Sequence, residues 1–195
     1  IYQTSTYVQS APGEHLGYEY SRTHNPTRDR LQECLASLEN AKHCVVTASG
    51  LSAEMLLMHL LPAGSRILCG DDVYGGTYRL FTTVFNKMHQ FQFVDTTDPK
   101  KVEKAIKSFK PAMIWIETPT NPLLKITDIK AVASFAKKAK ALTVVDNTFM
   151  SPYFQNPLDL GADFVLHSMT KYINGHSDVV GGSIMMNDSK MYEQL

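Results

Sequence analysis

Four apolar runs in this sequence end in the same way, in a short cluster of polar, turn-forming residues. Phe164-Val165-Leu166 leads through His167 into Ser168, Met169, Thr170 and a single lysine, Lys171. Val144-Val145 leads into Asp146, Asn147 and Thr148, and Ile114-Trp115-Ile116 into Glu117, Thr118, Pro119, Thr120, Asn121 and Pro122. Cys44 to Ala48 leads into Ser49, Gly50, Leu51 and Ser52. A lysine at the end of a buried strand can run its stem along apolar surface and keep its charge in water. Held out of water, it can instead shed its proton and become an amine that attacks a carbonyl to form a Schiff base. Asp146 either caps the turn that follows it or pairs with a protonated ring nitrogen, because a buried carboxylate stays ionised only beside a cationic or N–H partner. Gly50 is either a packing glycine or a point where backbone approaches a ligand. It stands at a helix start whose unpaired N–H groups and dipole favour an anion. Ser168 and Thr170 could add hydroxyl donors to that anion, and Arg22 a bidentate charge. Tyr74, next to Gly75 and Gly76, either fixes a turn or offers a flat ring.

As a set, an amine, a strand-end carboxylate, an anion cradle and an aromatic face meet the requirements of pyridoxal 5′-phosphate. Its aldehyde needs an amine, its pyridine nitrogen an acid partner, its ring a flat neighbour and its phosphate an anion site. Other chemistries lack their residues. Gly70 to Thr77 has the outer spacing of a P-loop, but Gly76 stands where the lysine belongs, and no GxGxxG follows a strand. His167 and His176 lack metal-ligand spacing, and no HExxH occurs, so no metal site is expected. Both histidines read as hydrogen-bonded structural residues, with His176 near enough in sequence to orient something beside the lysine.

Positioning these strand ends requires a sheet. Strand-like runs occur at Cys44–Ala48, Arg66–Cys69, Phe91–Val94, Met113–Ile116, Leu142–Val145, Phe164–Leu166 and Ser183–Met186, mostly alternating with helix-like segments. The strands are continuous apolar runs, which suits a sheet covered on both faces, and repeated βα units imply a mainly parallel one. The expected fold is therefore α/β, and ligands of such sheets gather beyond the C-terminal strand ends. Residues 1–26 read as an irregular polar-aromatic arm and 27–195 as one α/β domain. Thr27 reads as the N-cap of a helix with Leu31, Cys34, Leu35 and Leu38 on one face. Asp98-Pro99 opens another, with Val102, Ala105, Ile106 and Phe109 on one side. Lys+Arg and Asp+Glu both number 19 in 195 residues, so neither a nucleic-acid partner nor an electrostatic membrane anchor is expected. Cys34, Cys44 and Cys69 sit in apolar contexts without CxxC spacing and read as buried, reduced thiols. With no signal-peptide pattern at Ile1-Tyr2-Gln3-Thr4 and no long apolar run, a cytoplasmic location is expected. The missing initial methionine and the helix-like end at Leu195 lead us to expect a piece of a longer protein.

Several longer runs then carry a resemblance. They are Tyr20-Ser21-Arg22 with Asn25-Pro26-Thr27-Arg28, Ala48-Ser49-Gly50-Leu51, Asp72-Val73-Tyr74-Gly75-Gly76-Thr77 and Trp115-Ile116-Glu117-Thr118-Pro119-Thr120-Asn121-Pro122. Val145 to Gln155 and Ser168-Met169-Thr170-Lys171-Tyr172 with Gly175-His176-Ser177 complete them. In this order they resemble the Cys/Met-metabolism family of pyridoxal-phosphate enzymes, over nearly the whole chain. One departure is Met169, where the family usually has a small residue.

The resemblance implies the large domain of an aspartate-aminotransferase-like, fold-type-I enzyme, with a C-terminal domain lying outside residues 1–195. It implies that Lys171 attaches the cofactor and then moves protons at the substrate α-carbon, that Asp146 keeps the pyridine nitrogen protonated, and that Tyr74 stacks on the ring. Gly50 and Leu51 (through backbone N–H), Ser168 and Thr170 would bind the phosphate. Tyr20 and Arg22 would reach the phosphate of a neighbouring subunit, so the resemblance implies a homo-oligomer, typically a tetramer of two dimers with shared sites. Asn121 would lie near the ring hydroxyl and the substrate carboxylate, and Arg79 near the distal part of an amino-acid substrate. Arg79, and Gly76 where methionine γ-lyases often have cysteine, lean the resemblance toward enzymes acting on cystathionine. The implied activity is cleavage of L-cystathionine at Cγ–S in transsulfuration, giving cysteine, 2-oxobutanoate and ammonia. The alternatives are γ-replacement on an activated homoserine, or methionine γ-cleavage.

Overall fold

The computed structural model describes residues 1–195. The chain opens with a small hairpin, β1 (Gln9–Ala11) and β2 (Glu14–His15), inside the stretch read as irregular. Helix α1 (Pro26–Leu38) follows, then β3 (His43–Thr47), α2 (Gly50–Leu60), β4 (Arg66–Gly70) and the short α3 (Gly75–Arg79). α3 runs on as a π-helical stretch, Leu80–Val84, and a 3₁₀ turn, Phe85–Lys87. Then come β5 (Gln90–Val94), α4 (Pro99–Phe109), β6 (Met113–Glu117), α5 (Ile129–Ala139) and β7 (Leu142–Asp146). α6 (Ser151–Phe154), β8 (Phe164–Ser168), β9 (Gly182–Met186) and α7 (Ser189–Tyr192) close the chain.

The helix starts follow local chemistry. Asp98 accepts from the N–H groups of Lys100 and Lys101 ahead of α4, with Pro99 in the first turn, and Asp128 accepts from Ala131 N–H ahead of α5. At α1 the cap differs from the expected Thr27. Asn25 Oδ1 accepts from Thr27 N–H at 2.9 Å, and Pro26 takes the first helical position. A proline suits that position because it has no N–H to satisfy, so the cap must precede it. The apolar stripe of α1 is also narrower than expected. Leu35 and Ala36 are buried, whereas Leu31 and Leu38 remain 42% and 49% exposed and Cys34 is exposed. α1 lies over β3 and β9 at the sheet's edge and covers them with one side only. Cys44 and Cys69 are buried, as expected.

Seven strands form one sheet in the order β3-β9-β8-β7-β6-β4-β5. Every pairing is parallel except those of β9, which runs against both neighbours. This is the mainly parallel sheet that the apolar runs imply. Alternate residues of each central strand face opposite layers, and both layers are dry. Met113 and Trp115 face α2 and the Leu80–Phe85 stretch, where Phe81 meets the Trp115 ring edge-on at 5.3 Å. Ile114 and Ile116 face α4 and α5. β8 and β9 send Val165 and Met185 toward α1.

The register aligns the strand ends. Glu117 stands opposite Asp146, and Asp146 opposite Leu166. Paired residues of parallel strands point to one face, so these ends are brought side by side. A buried polar cluster fixes the ends of β7 and β8 from the other face. Glu39, fully buried just after α1, accepts at Oε1 from Asn147 Nδ2 at 2.8 Å and bonds His167 Nε2 at 2.5 Å. Asn156 Nδ2 reaches its other oxygen at 3.3 Å, and Gln155 Nε2 bonds Asn147 Oδ1 at 2.9 Å. His167 is therefore the hydrogen-bonded structural residue expected. Removing one member of such a cluster leaves the others buried without partners. Glu39→Ala should lower unfolding stability by about 3 kcal/mol. Urea denaturation measures this, and an unchanged midpoint would contradict it.

Candidate active site

Beyond the C-terminal ends of the strands lies a cleft of about 240 Å³. It is lined by residues of six segments: Ser49, Gly50, Leu51 and Glu54 at the start of α2, Tyr74 after β4, Glu117 at the end of β6 with Asn121 after it, Asp146 at the end of β7 with Thr148 and Phe149 after it, Leu166 and Ser168 of β8, and Thr170 and Lys171 beyond it. The cleft opens where the strand order reverses. β4 continues outward to β5, whereas β6, β7 and β8 run the other way, and such a switch point leaves room between diverging loops. Eight of the residues singled out from sequence meet here: Lys171, Asp146, Tyr74, Gly50, Leu51, Asn121, Ser168 and Thr170.

One end is built around the N-terminus of α2. Ser49 caps the helix by accepting from Ser52 N–H at 3.1 Å, which leaves the first N–H groups of Gly50 and Leu51 without helical partners. A Cβ on Gly50 would lie 2.9 Å from Ser168 Cβ, so only glycine lets the helix start approach the end of β8 this closely. Likewise, a Cβ on Gly182 would run into the Ser49 carbonyl. Ser168 N–H is held by Thr148 Oγ1 at 2.9 Å, and Thr170 Oγ1 accepts from Gly181 N–H at 3.1 Å. Helix N–H groups, a dipole end and two hydroxyl residues make this an anion cradle.

The cleft lining also carries three carboxyl groups, those of Asp146, Glu117 and Glu54. Asp146 is buried and accepts at Oδ1 from Thr148 N–H at 3.0 Å. Burial raises its affinity for a proton, while the Thr148 bonds and His167 act in the other direction. Glu117 is pushed up to about 8 by burial and then by the neighbouring Asp146 charge. Its two oxygens brace the cleft: Oε2 accepts from Tyr74 N–H at 2.8 Å and Oε1 from Asn121 N–H at 2.7 Å. A Cβ on Gly76 would collide with the Tyr74 ring, so the glycine makes room for that ring at the cleft mouth. Glu54 is buried too, with Thr77 Oγ1 donating to its Oε1 at 2.9 Å. Lys171 is the sole basic residue on the lining. Its side chain is exposed at the mouth and makes no ion pair.

This arrangement fits pyridoxal phosphate on the residues present. The cradle takes a phosphate, an unpaired amine takes an aldehyde, and buried carboxyl groups short of cations call for a protonated ring nitrogen.

Three expected site residues lie elsewhere. Tyr20 and Arg22 are exposed on the arm, with the Arg22 guanidinium 5.1 Å from the Tyr20 ring centre, so Arg22 does not join the anion cradle of its own chain. Arg79 is exposed on α3, off the cleft lining. His176 is exposed and bonds Asn174 O at 2.9 Å, and it orients nothing at Lys171. Met169 points to the other layer, among Leu35, Ala36, Cys44, Val165 and Met185, and leaves the cleft free. The roles of Glu117 and Glu54 were not read from sequence. Glu117 gave a signal as a strand-end carboxyl in register with Asp146, and Glu54 as the one acidic residue in an apolar helix.

No helix is long and apolar enough to cross a membrane. All of residues 1–195 match the family described as Cys/Met metabolism PLP-dependent enzyme. The chain is 59% identical over its whole length to a probable cystathionine gamma-synthase of Herpetosiphon aurantiacus and 53% identical to a cystathionine gamma-lyase of Bacillus subtilis. It spans 61% and 52% of those relatives' lengths. A crystal structure of cystathionine gamma synthase from Xanthomonas oryzae in complex with cystathionine superposes with a TM-score of 0.95 at 45% identity, covering all of this chain and 50% of that one. With this fold, this cleft and these matches, the chain belongs to the Cys/Met-metabolism family of pyridoxal-phosphate-dependent enzymes.

Proposed function

We propose that this chain carries the cofactor-binding half of an enzyme that cleaves L-cystathionine at its Cγ–S bond, with water, to cysteine, 2-oxobutanoate and ammonia. The observation that carries the reading is the convergence of Lys171, Asp146, Tyr74 and Asn121 on the cleft that begins at the α2 N-terminus. Bound pyridoxal phosphate supplies an electron sink for the carbanion formed at a substrate α-carbon.

The chain's own residues supply the rest. Gly50 and Leu51 N–H, with the hydroxyls of Ser168 and Thr170, hold the phosphate. Asp146 holds the proton of the ring nitrogen. Tyr74 presents its ring as a platform and its hydroxyl for proton exchange with the substrate. Lys171 Nζ would hold the aldehyde and, once the substrate amine has displaced it, would be free to take the proton from the substrate α-carbon. Asn121 orients the substrate carboxylate, and Glu117 keeps Tyr74 and Asn121 in place.

Tyr20 and Arg22 serve the cleft of a neighbouring copy, which supports a homo-oligomer, a tetramer of two dimers. Their exposure in the single chain, and that of Tyr153 and Phe154 at 86% and 72%, agrees with surfaces that another chain or domain covers. Three free cysteines fit a reducing, cytoplasmic setting. Arg79 contacts the distal amino-acid end of the substrate in the assembled site. The second reading is γ-replacement, joining cysteine to an activated homoserine, and the 59% identity to a probable cystathionine gamma-synthase favours it.

The full-length protein, supplied with cystathionine alone, should release cysteine and 2-oxobutanoate. Turnover solely of O-acetyl- or O-succinylhomoserine with cysteine would replace the first reading with the second. The carboxyl wall generates a separate expectation. Glu117 binds its proton up to about pH 8 when folded, against an ordinary value of 4.5, so across that window the folded chain holds more protons than the unfolded one. Stability of the cofactor-free protein therefore falls as pH rises through this window, by on the order of a few kcal/mol. Melting temperatures should show the decline in wild type and a flatter profile in Glu117→Gln, and parallel profiles would contradict it.

A further inference from the structure

We propose that Glu54 is a positioning residue for Asp146: it stands in the cleft as a neutral acid and offers the proton on Oε2 to the Asp146 carboxylate, so that the pair presents one negative charge to a cationic ring nitrogen. The proposal rests on reading the cleft as a pyridoxal-phosphate site.

Glu54 lies one turn into α2 from Gly50, on the buried side that also carries Ala53, Leu57 and Met58. It is 3% exposed and lines the cleft together with Asp146 and Glu117. Its two oxygens differ sharply. Oε1 accepts from Thr77 Oγ1 at 2.9 Å, while Oε2 is buried with no hydrogen-bond partner in the chain. Native proteins rarely leave a buried polar atom without a partner, and exceptions concentrate where a ligand or a catalytic role uses them. A leucine of similar volume would suit this apolar helix face better, so the carboxyl group needs a reason beyond packing.

The surroundings fix its protonation. Thr77 of α3 bonds it, Asp146 of β7, Glu117 of β6 and Lys171 share the cleft lining with it, and the buried Cys69 thiol of β4 feels its charge. Burial first, and then the charge on Asp146, raise its affinity for a proton well above the ordinary carboxyl range. With Oε1 occupied as an acceptor, the proton belongs on Oε2. Asp146 is the carboxylate whose charge acts on it most strongly. A neutral donor beside Asp146 keeps that carboxylate ionised without adding a second charge, which would hold the ring nitrogen too tightly and destabilise the empty cleft.

The test uses the full-length protein and two variants, Glu54→Gln and Glu54→Leu. Infrared spectra of the cofactor-free wild type near neutral pH should contain C=O stretches of protonated carboxylic acids, one from Glu117 and one from Glu54; Glu54→Gln should remove a component that Glu117→Gln leaves in place. Glu54→Leu should keep or raise the melting temperature of the cofactor-free protein, which shows that it folds, yet bind pyridoxal phosphate roughly tenfold more weakly. Glu54→Gln, a neutral donor of the same shape, should restore binding to within about twofold of wild type. Acid bands identical in wild type and Glu54→Gln overturn the proposal, as does wild-type affinity in Glu54→Leu or equal weakness in both variants. A wild type that binds no pyridoxal phosphate overturns the cofactor reading itself and this pairing with it, and is distinguishable because the infrared band is read without cofactor.

Discussion

Three carboxyl groups, those of Asp146, Glu117 and Glu54, are buried at one end of the sheet with a single amine on the same cleft. No apolar core would tolerate this for its own sake. Burial drives each of them toward the protonated form, which is the physical statement that the cleft lacks positive charge. A ligand with an anionic tail and a cationic or N–H-bearing ring answers both ends at once. In the proposed reading its tail would meet the α2 N-terminus and its ring would meet Asp146. A helix dipole and buried carboxyls on one cleft thereby suit a cofactor that carries both an anionic tail and a ring N–H.

The rest of the fold keeps those ends in place. Parallel pairing puts Glu117 beside Asp146, and the Glu117 carboxylate turns that adjacency to use by tying down the backbones of Tyr74 and Asn121 from two different loops. On the reverse face, Glu39, His167 and Asn147 lock the ends of β7 and β8. The strand ends are thus fixed from both sides of the sheet, and the side chains between them have little freedom left. Glycine at 50 and 182 allows a helix start, a strand end and a loop to meet at distances that a Cβ would forbid. Met169 shows the same economy on the opposite layer, where Gly181 leaves room for its methyl group.

Much of this was legible in the residues. The strands were readable because burial on both faces writes them as unbroken apolar runs, and the cleft because each relevant strand stops in polar residues. The helix cap at Asn25 was missed by two positions because Pro26 was not weighed as a first-turn residue. The extent of exposed apolar surface on α1 was not readable, since the periodicity of Leu31, Leu35 and Leu38 shows a face without saying what covers it. Arg22 illustrates a similar limit: a guanidinium suited to phosphate is visible in the residues, but that it lies off its own chain's cleft is read only from the structure. Glu54 meets the same limit. A single acid in an apolar helix stands out in sequence, but only the packing of α2 against the sheet shows that this one is buried on the cleft.

The central proposal is that Lys171 Nζ is where this cleft holds its cofactor covalently. The most direct measurement is to load the full-length protein with pyridoxal phosphate, reduce it with borohydride, digest it and locate the added mass by peptide mass spectrometry. The label should sit on Lys171 at close to one per chain. A protein that takes up no label, or carries it on surface lysines such as Lys107 or Lys138 with Lys171 unmodified, would contradict the account.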